Sequence, residues 1–504
     1  MKFQRNSTPL KTAKTFALGT LAIATLGIAT LGIALSGCRK SFLDETPRVQ
    51  TPDDYFNSTA NAAQELVTAV YSKLYDWQQH SFSWLGMTSI ASDEGEKGSD
   101  PGDTGSDKDQ FDKLSWSPTS ISFGEVWESN FEGVARANKA IDLLPTLNIN
   151  SSLRDRLVGE SRFLRAYFYW NLVRSFGGVP LIPKVPKTTA EIEALNFRAT
   201  ADQIYDFIDA DLEFSATVLP ASYLSDQAGR VTSGAAKALL AKSSLYRKRF
   251  GKAESLCAEI MASNNYSLFA EYHKLFREAG EFCSESIWEV NCKGSAPAKA
   301  IEGYFVVQAP RGAGGLGWGF NTPTDNLTKA FEAGDVRKGA TYFSRGDVLW
   351  DGYVCNTLAP NARYNFKSYV SQTMESWGKD DWFANKNMRI LRYADVLLIH
   401  AEAANENGKT ADALKSLNLV RNRAGLANSS ATTQSEIRDA IWKERFVELA
   451  MEHDRVFDLR RQGRAGTVMR AHGKNYIDGV HDLYPIPQRQ IDLSGGKMTQ
   501  NPGY

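Results

Sequence analysis

Glu444, Glu448 and Glu452 recur at every fourth residue of a segment that reads as one helix over 436–461, so they share one face of it. Glycoside hydrolysis needs two carboxyl groups flanking a bound sugar, and neighbours on one helix face do not oppose each other. Arg445, Arg455, Arg460 and Arg461 are interleaved with them, which predicts a salt-bridged structural helix. Gly312, Gly314 and Gly317 in RGAGGLGWG spell G-x-G-x-x-G after the strand-like run FVVQAP. A dinucleotide site needs those glycines to open directly into a helix whose N-terminus holds the pyrophosphate. GWGFNTP follows instead, so no helix can begin before Pro323, and a flexible loop presenting Trp318 is expected. Gly408, Lys409 and Thr410 mimic the end of a phosphate loop, but Ala403 stands where its first glycine belongs. The six His are scattered and no HExxH occurs, so no metal or cofactor site is expected. Cys257, Cys283, Cys292 and Cys355 lack zinc spacing; three disulfide pairings are open to them, and so are buried free thiols.

The remaining chemistry is stacking. Aromatic residues make up 11% of the 504, with 11 Trp, enough for a packed core, a ligand surface or both. Oligosaccharides are held by flat aromatic faces together with Asn, Asp or Arg for the hydroxyls. Trp84, Asp93, Tyr304, Arg311, Trp318, Asn321 and Trp350 supply those groups on segments that read as loops. The alternative for each is burial at the base of its own lobe. Trp318, Trp350, Trp377 and Trp382 fall in a stretch poor in helical periodicity, residues 264–388, rich in Gly and in short strand-like runs such as SIWEVN. A second irregular stretch, 80–118, carries the acidic tract SDEGEKGSDPGDTGSDKD. Its carboxylates do not match a D-x-D-x-D-G calcium loop, so a solvated flexible loop is expected at 92–109.

The elements that must position these groups are helical. GEVWESNFEGVARANKAIDLL (124–144) and LRDRLVGESRFLRAYFYWNLVRSF (153–176) are long periodic segments, and Phe163, Tyr167 and Trp170 form a stripe wide enough to be core. Residues 233–249 with 253–263, and 392–407 with 410–425, read as two Ala-rich helical hairpins joined by short Gly-Lys turns and resemble tetratricopeptide units. Their irregular spacing reads as dispersed units, not a continuous solenoid. Lys+Arg and Asp+Glu number 58 each, which argues against a nucleic-acid partner. The first 37 residues read as a signal peptide: Lys2, Arg5, Lys11 and Lys14 precede an uncharged run from Phe16 to Leu35. Leu35, Ser36 and Gly37 before Cys38 look like a lipoprotein cleavage box that leaves Cys38 as the lipidated N-terminus, although an uncleaved anchor helix would also fit.

In order along the chain, FLDETP, ESRFLRAYFYWNLVRSFGGVPLI, MRILRYADVLLIHAEAANENG, NLVRNRAGL, ERFVELAMEHDRVFDLRRQG, YPIPQRQIDL and QNPGY resemble the motifs of the SusD/RagB family of surface lipoproteins. The resemblance implies a mostly α fold spanning 38–504: a tetratricopeptide-like scaffold at 57–77, 121–263 and 390–463, bearing an inserted loop-rich ligand lobe at 264–388. It also implies nutrient capture at the outer membrane beside a TonB-dependent transporter resembling SusC, with binding and no catalysis. The ligand would be an oligosaccharide, or a peptide as in members resembling RagB; a lipoprotein glycosidase is the competing class.

Overall fold

The computed structural model describes residues 60–103, 107–292, 303–376 and 384–504; the signal segment, Cys38, FLDETP, Trp377 and Trp382 lie outside them. The chain divides into two units at Tyr55, and every described element belongs to the one from Phe56 onward.

Its frame is built from α1 (Ala60–Tyr71), α2 (Ile121–Leu143), α3 (Ser151–Phe176), α4 (Ala201–Val218), α5 (Ser233–Tyr246), α6 (Phe250–Ala262), α7 (Tyr393–Glu406), α8 (Thr410–Arg423), α9 (Gln434–Glu448) and α10 (Arg455–Arg461). The chain chemistry sets the boundaries. The Asn150 side chain accepts from the Ser152 amide at 2.8 Å to open α3, and Gly177, at φ +72°, stops it. Thr200 and Thr433 open α4 and α9 with reciprocal capping boxes through Gln203 and Glu436. Phe163, Tyr167 and Trp170 are buried, so the aromatic stripe of α3 is core, as its width predicted.

Both expected hairpins form, α5 with α6 and α7 with α8, and small residues let their helices approach: Ala401 and Ala404 of α7 share one buried cluster with Ala413, Leu417 and Val420 of α8. The expectation of dispersed units fails in space. α3 packs on α4, α4 on α5, α6 on α7 and α7 on α8, so the stack is continuous although residues 263–392 intervene between α6 and α7. That insertion leaves and returns through a closed gate: β2 (Ser286–Val290, within SIWEVN) pairs antiparallel with β6 (Met388–Arg392). Trp288 on β2 meets the Phe163 and Tyr167 rings of α3 edge-on, each at 4.9 Å. Two further ribbons, β1 (Gly95–Gly98) with β3 (Phe320–Pro323) and β4 (Tyr342–Ser344) with β5 (Arg363–Asn365), organise the lobe. The strand expected at FVVQAP is instead a helical turn, with the Val307 and Ala309 amides donating to the Gly303 and Phe305 carbonyls.

Ion pairs hold the inserted lobe to the frame. Glu448, fully buried at the end of α9, accepts from Arg423 at 2.6 Å, Arg392 at 2.9 Å and Arg337 at 3.0 Å. Arg392 and Arg423 both also bind Glu285, just before β2, and Arg392 and Lys367 bind Glu452. Glu444 pairs with Arg337 at 2.6 Å and Arg421 at 3.0 Å. The salt-bridged segment is therefore as expected, but the single helix over 436–461 is not. α9 ends at Glu448, and Met451 and His453 take positive φ, which places Glu452 beyond the helix. All four described cysteines are free thiols.

Two buried carboxyls in this fold generate opposite outcomes. Burial alone would raise Glu448, but the surrounding Arg423, Arg392 and Arg337 hold it far below the usual carboxylate range. Glu448→Gln leaves three guanidinium groups undercompensated and should lower the unfolding free energy by about 3–5 kcal/mol, measured by urea denaturation; a loss below about 1 kcal/mol would mean that the lobe docks without this network. Glu94, before β1, accepts from the Met451 amide at 3.1 Å, while its other carboxylate oxygen is buried without a partner. Burial pushes its pKa from 4.5 up to about 7. The folded state therefore resists an ionisation that the unfolded chain undergoes earlier, and stability is lost as pH rises from 4.5 through 7, by up to about 3 kcal/mol. Glu94→Gln should gain on the parent between pH 5 and pH 8 in paired thermal melts; a pH-independent difference would contradict the assignment.

Candidate functional site

The Gly-rich segment 311–319 doubles back over the helical turn at 303–309. The amides of Trp318, Gly319 and Phe320 donate to the carbonyls of Val306, Ala309 and Val307 at 2.7–2.8 Å. A Cβ on Gly317 would stand 2.0 Å from the Val306 carbonyl oxygen, so glycine here serves close backbone approach. No helix opens from these glycines; β3 follows, and then a short helix, Asp325–Ala330, capped by Thr324. The outer rim is tied as well: Asn356 Nδ2 donates to the Ala313 carbonyl at 2.7 Å and the Tyr353 hydroxyl to that of Gly314 at 3.3 Å. The expected flexible loop is a braced one.

Its end carries Trp318, half-buried, with its ring centroid 5.9 Å from that of Trp77 and 6.0 Å from Phe82, which it meets edge to face. Trp77 and Phe82 are themselves half-buried and 5.8 Å apart, so three rings form one partly exposed cluster. Gly303 permits it: a Cβ there would lie 2.2 Å from the Trp77 ring. On the same loop Arg311 donates to Asp103 at 2.7 Å and Ser99 at 2.8 Å, with about a third of its side chain exposed. β1 and β3 set this arrangement, since Gly98 pairs with Phe320 and the Ser99 amide donates to the Gly319 carbonyl at 2.6 Å. Rigid rings beside fixed polar groups can stack a sugar face and hydrogen-bond its rim.

Of the seven residues singled out from sequence, Arg311 and Trp318 share this loop. Trp350 is 48% exposed but belongs to a separate cleft of about 370 Å³ with His273, Arg277 and Met374. The other four are corrected to buried supports. Trp84 sits on a helical turn, Phe82–Leu85, against Phe457 at 6.0 Å and is 3% exposed. Asp93 is clamped by Arg455 through two bonds of 2.7 Å; burial would raise its pKa, but that guanidinium outweighs burial and holds it below the usual range. Tyr304 bonds His453 Nε2 at 2.8 Å beneath the loop, and burial lowers that imidazole to about 3. Asn321, fully buried at φ +55°, donates to Gln308 at 2.9 Å.

The expected solvated acidic tract is corrected too: Ser92, Asp93 and Glu94 are buried, β1 follows, and Asp107 and Lys108 are buried at its far end. Among the described residues no group of three His, Cys, Asp or Glu is placed to hold a metal ion. Sequence reading missed Trp77 and Phe82. The available signal was four aromatics between Tyr75 and Trp84 in a stretch without sustained helical periodicity.

Two family models match the chain: the SusD family over residues 350–504, and "Starch-binding associating with outer membrane" over 41–245. SusD-like protein P2 of Formosa agariphila is 26% identical over 93% of this chain and 97% of its own length. Among solved structures, a laminarin-binding SusD-like protein superposes with a TM-score of 0.75 at 28% identity, covering 88% of this chain and 99% of its own. Surface glycan-binding protein A of Bacteroides thetaiotaomicron, in complex with laminarihexaose, gives 0.74 at 25% identity over 88% and 99%. A helical stack broken by a lobe between α6 and α7, the two model matches and these full-length likenesses agree: the chain belongs to the SusD/RagB family.

Proposed function

We propose that the chain is a surface lipoprotein that binds an oligosaccharide on the Trp77, Phe82 and Trp318 cluster and hands it to a TonB-dependent transporter resembling SusC in the outer membrane. The half-buried ring cluster carries the reading: Trp318 on a braced loop meets Trp77 and Phe82 of two neighbouring helical turns, and the three rings together leave aromatic surface partly open. Relatives that bind laminarin or laminarihexaose support a glycan as the ligand class, and the family description supports an outer-membrane setting. Cys38 would carry the lipid that keeps the protein there.

A binding role also fits the carboxylates. Glu444, Glu448 and Glu452 are each engaged by arginine or lysine in the network that ties the lobe to the frame, so they are not set as a pair flanking an open sugar site.

Trp318→Ala and Trp77→Ala should each weaken binding about tenfold or more, read by titration calorimetry against laminarihexaose and by retardation in gels containing laminarin or starch. Unchanged affinity in both variants would reject this surface. Shortening of the glycan by the purified protein alone would replace a binding role with an enzymatic one.

A further inference from the structure

We propose that a second groove, lying against β2, binds an uncharged polysaccharide chain; the proposal rests on the glycan-binding reading above and extends it to a longer ligand. The loop between α4 and α5 crosses β2 and leaves a cleft on each side. One, of about 230 Å³, is lined by Tyr223, Tyr266, Phe282 and Trp288. The other, of about 220 Å³, is lined by Tyr71, Tyr75, Asp226 and Asn291. Ala228, Gly229, Arg230 and Glu289 border both and form the ridge between them.

The ridge is built to stay. Asn291 Nδ2 donates to the Ala228 carbonyl at 3.0 Å, and Gly229, at φ +92°, lies so close that a Cβ would meet the Asn291 Cβ at 2.6 Å. Its charges are already matched, Arg230 with Glu160 at 2.7 Å and Glu289 with Arg389 at 3.4 Å, so the ridge offers no free charge to an ionic ligand. Tyr71, Tyr75, Tyr223 and Tyr266 are half-buried and Phe282 is 37% exposed, which gives a series of ring faces and edges. The indole N–H of Trp288, a residue only 2% exposed, is buried without a hydrogen-bond partner. Buried donors without partners are costly, and sugar hydroxyls accept as readily as they donate. A peptide added to β2 as a strand would need an unbroken main-chain run, which the ridge interrupts.

The test compares a Tyr223→Ala/Phe282→Ala double variant with Trp318→Ala and with Leu224→Ala, a change at a 78% exposed side chain outside the lining. The double variant should bind laminarin or starch about fivefold more weakly and laminarihexaose as the parent does, while Leu224→Ala matches the parent on all three. Unchanged polysaccharide binding overturns the groove. Equal losses on short and long glycans overturn it as well, because they would place these rings in a single site. A double variant that loses retention of a tryptic peptide mixture but of no glycan assigns the groove to peptides and overturns the proposal. If Trp318→Ala leaves every affinity intact while the double variant weakens polysaccharide binding, the groove stands and the ring-cluster reading falls. If the parent binds neither polysaccharide, the groove falls; if it also fails to bind laminarihexaose, the ring-cluster reading falls with it.

Discussion

The molecule is organised around a buried charge balance at the end of α9. Three guanidinium groups, from the lobe (Arg337), the end of β6 (Arg392) and α8 (Arg423), converge on Glu448, and two of them return to Glu285 at the entrance to β2. Ions taken out of water are tolerable only when each is matched with good geometry, so the five segments must arrive together or not at all. A hydrophobic contact would accept a shifted lobe. A fork of three cations on one carboxylate does not, because each partner lost leaves a bare charge in a medium of low polarity.

The same logic runs outward from that point. Asp395 of α7 binds Arg445 at 2.8 Å and Lys242 of α5 at 2.8 Å, and Arg445 and Arg461 share Asp458. Arg455 then reaches Asp93, and Glu94 beside it accepts from the Met451 amide, which fixes the approach to β1. β1 holds β3, and β3 begins two residues after Trp318. A path of directional bonds thus joins the helical stack to the aromatic cluster.

The helical frame was legible because its signals are local: apolar periodicity, capping residues and Gly stops act within a few residues of one another. What remained hidden depends on partners far along the chain. Asp93 and Trp84 look like loop residues until Arg455 and Phe457, more than three hundred and fifty positions away, cover them. The continuity of the stack could not be read for the same reason, since α6 and α7 are neighbours only after residues 263–392 are looped out. The loop position of Trp318 and Arg311 was legible through the glycines around them, whereas Trp77 and Phe82 acquire their place beside Trp318 only when the 303–319 segment folds onto them.

Bracing a loop with glycine has a consequence for binding. Ordering side chains and loops on association offsets part of the gain from contact, and surfaces already held in place avoid that cost. Here the backbone of 311–319 is tied inward to 303–309 and outward to Asn356 and Tyr353, while Trp318 packs against both Trp77 and Phe82. The backbone that presents Trp318 is therefore already held in place before a ligand arrives. Under the proposed function a captured glycan must also be released, and an aromatic face braced from behind suits that need: it gains from stacking without closing over what it holds.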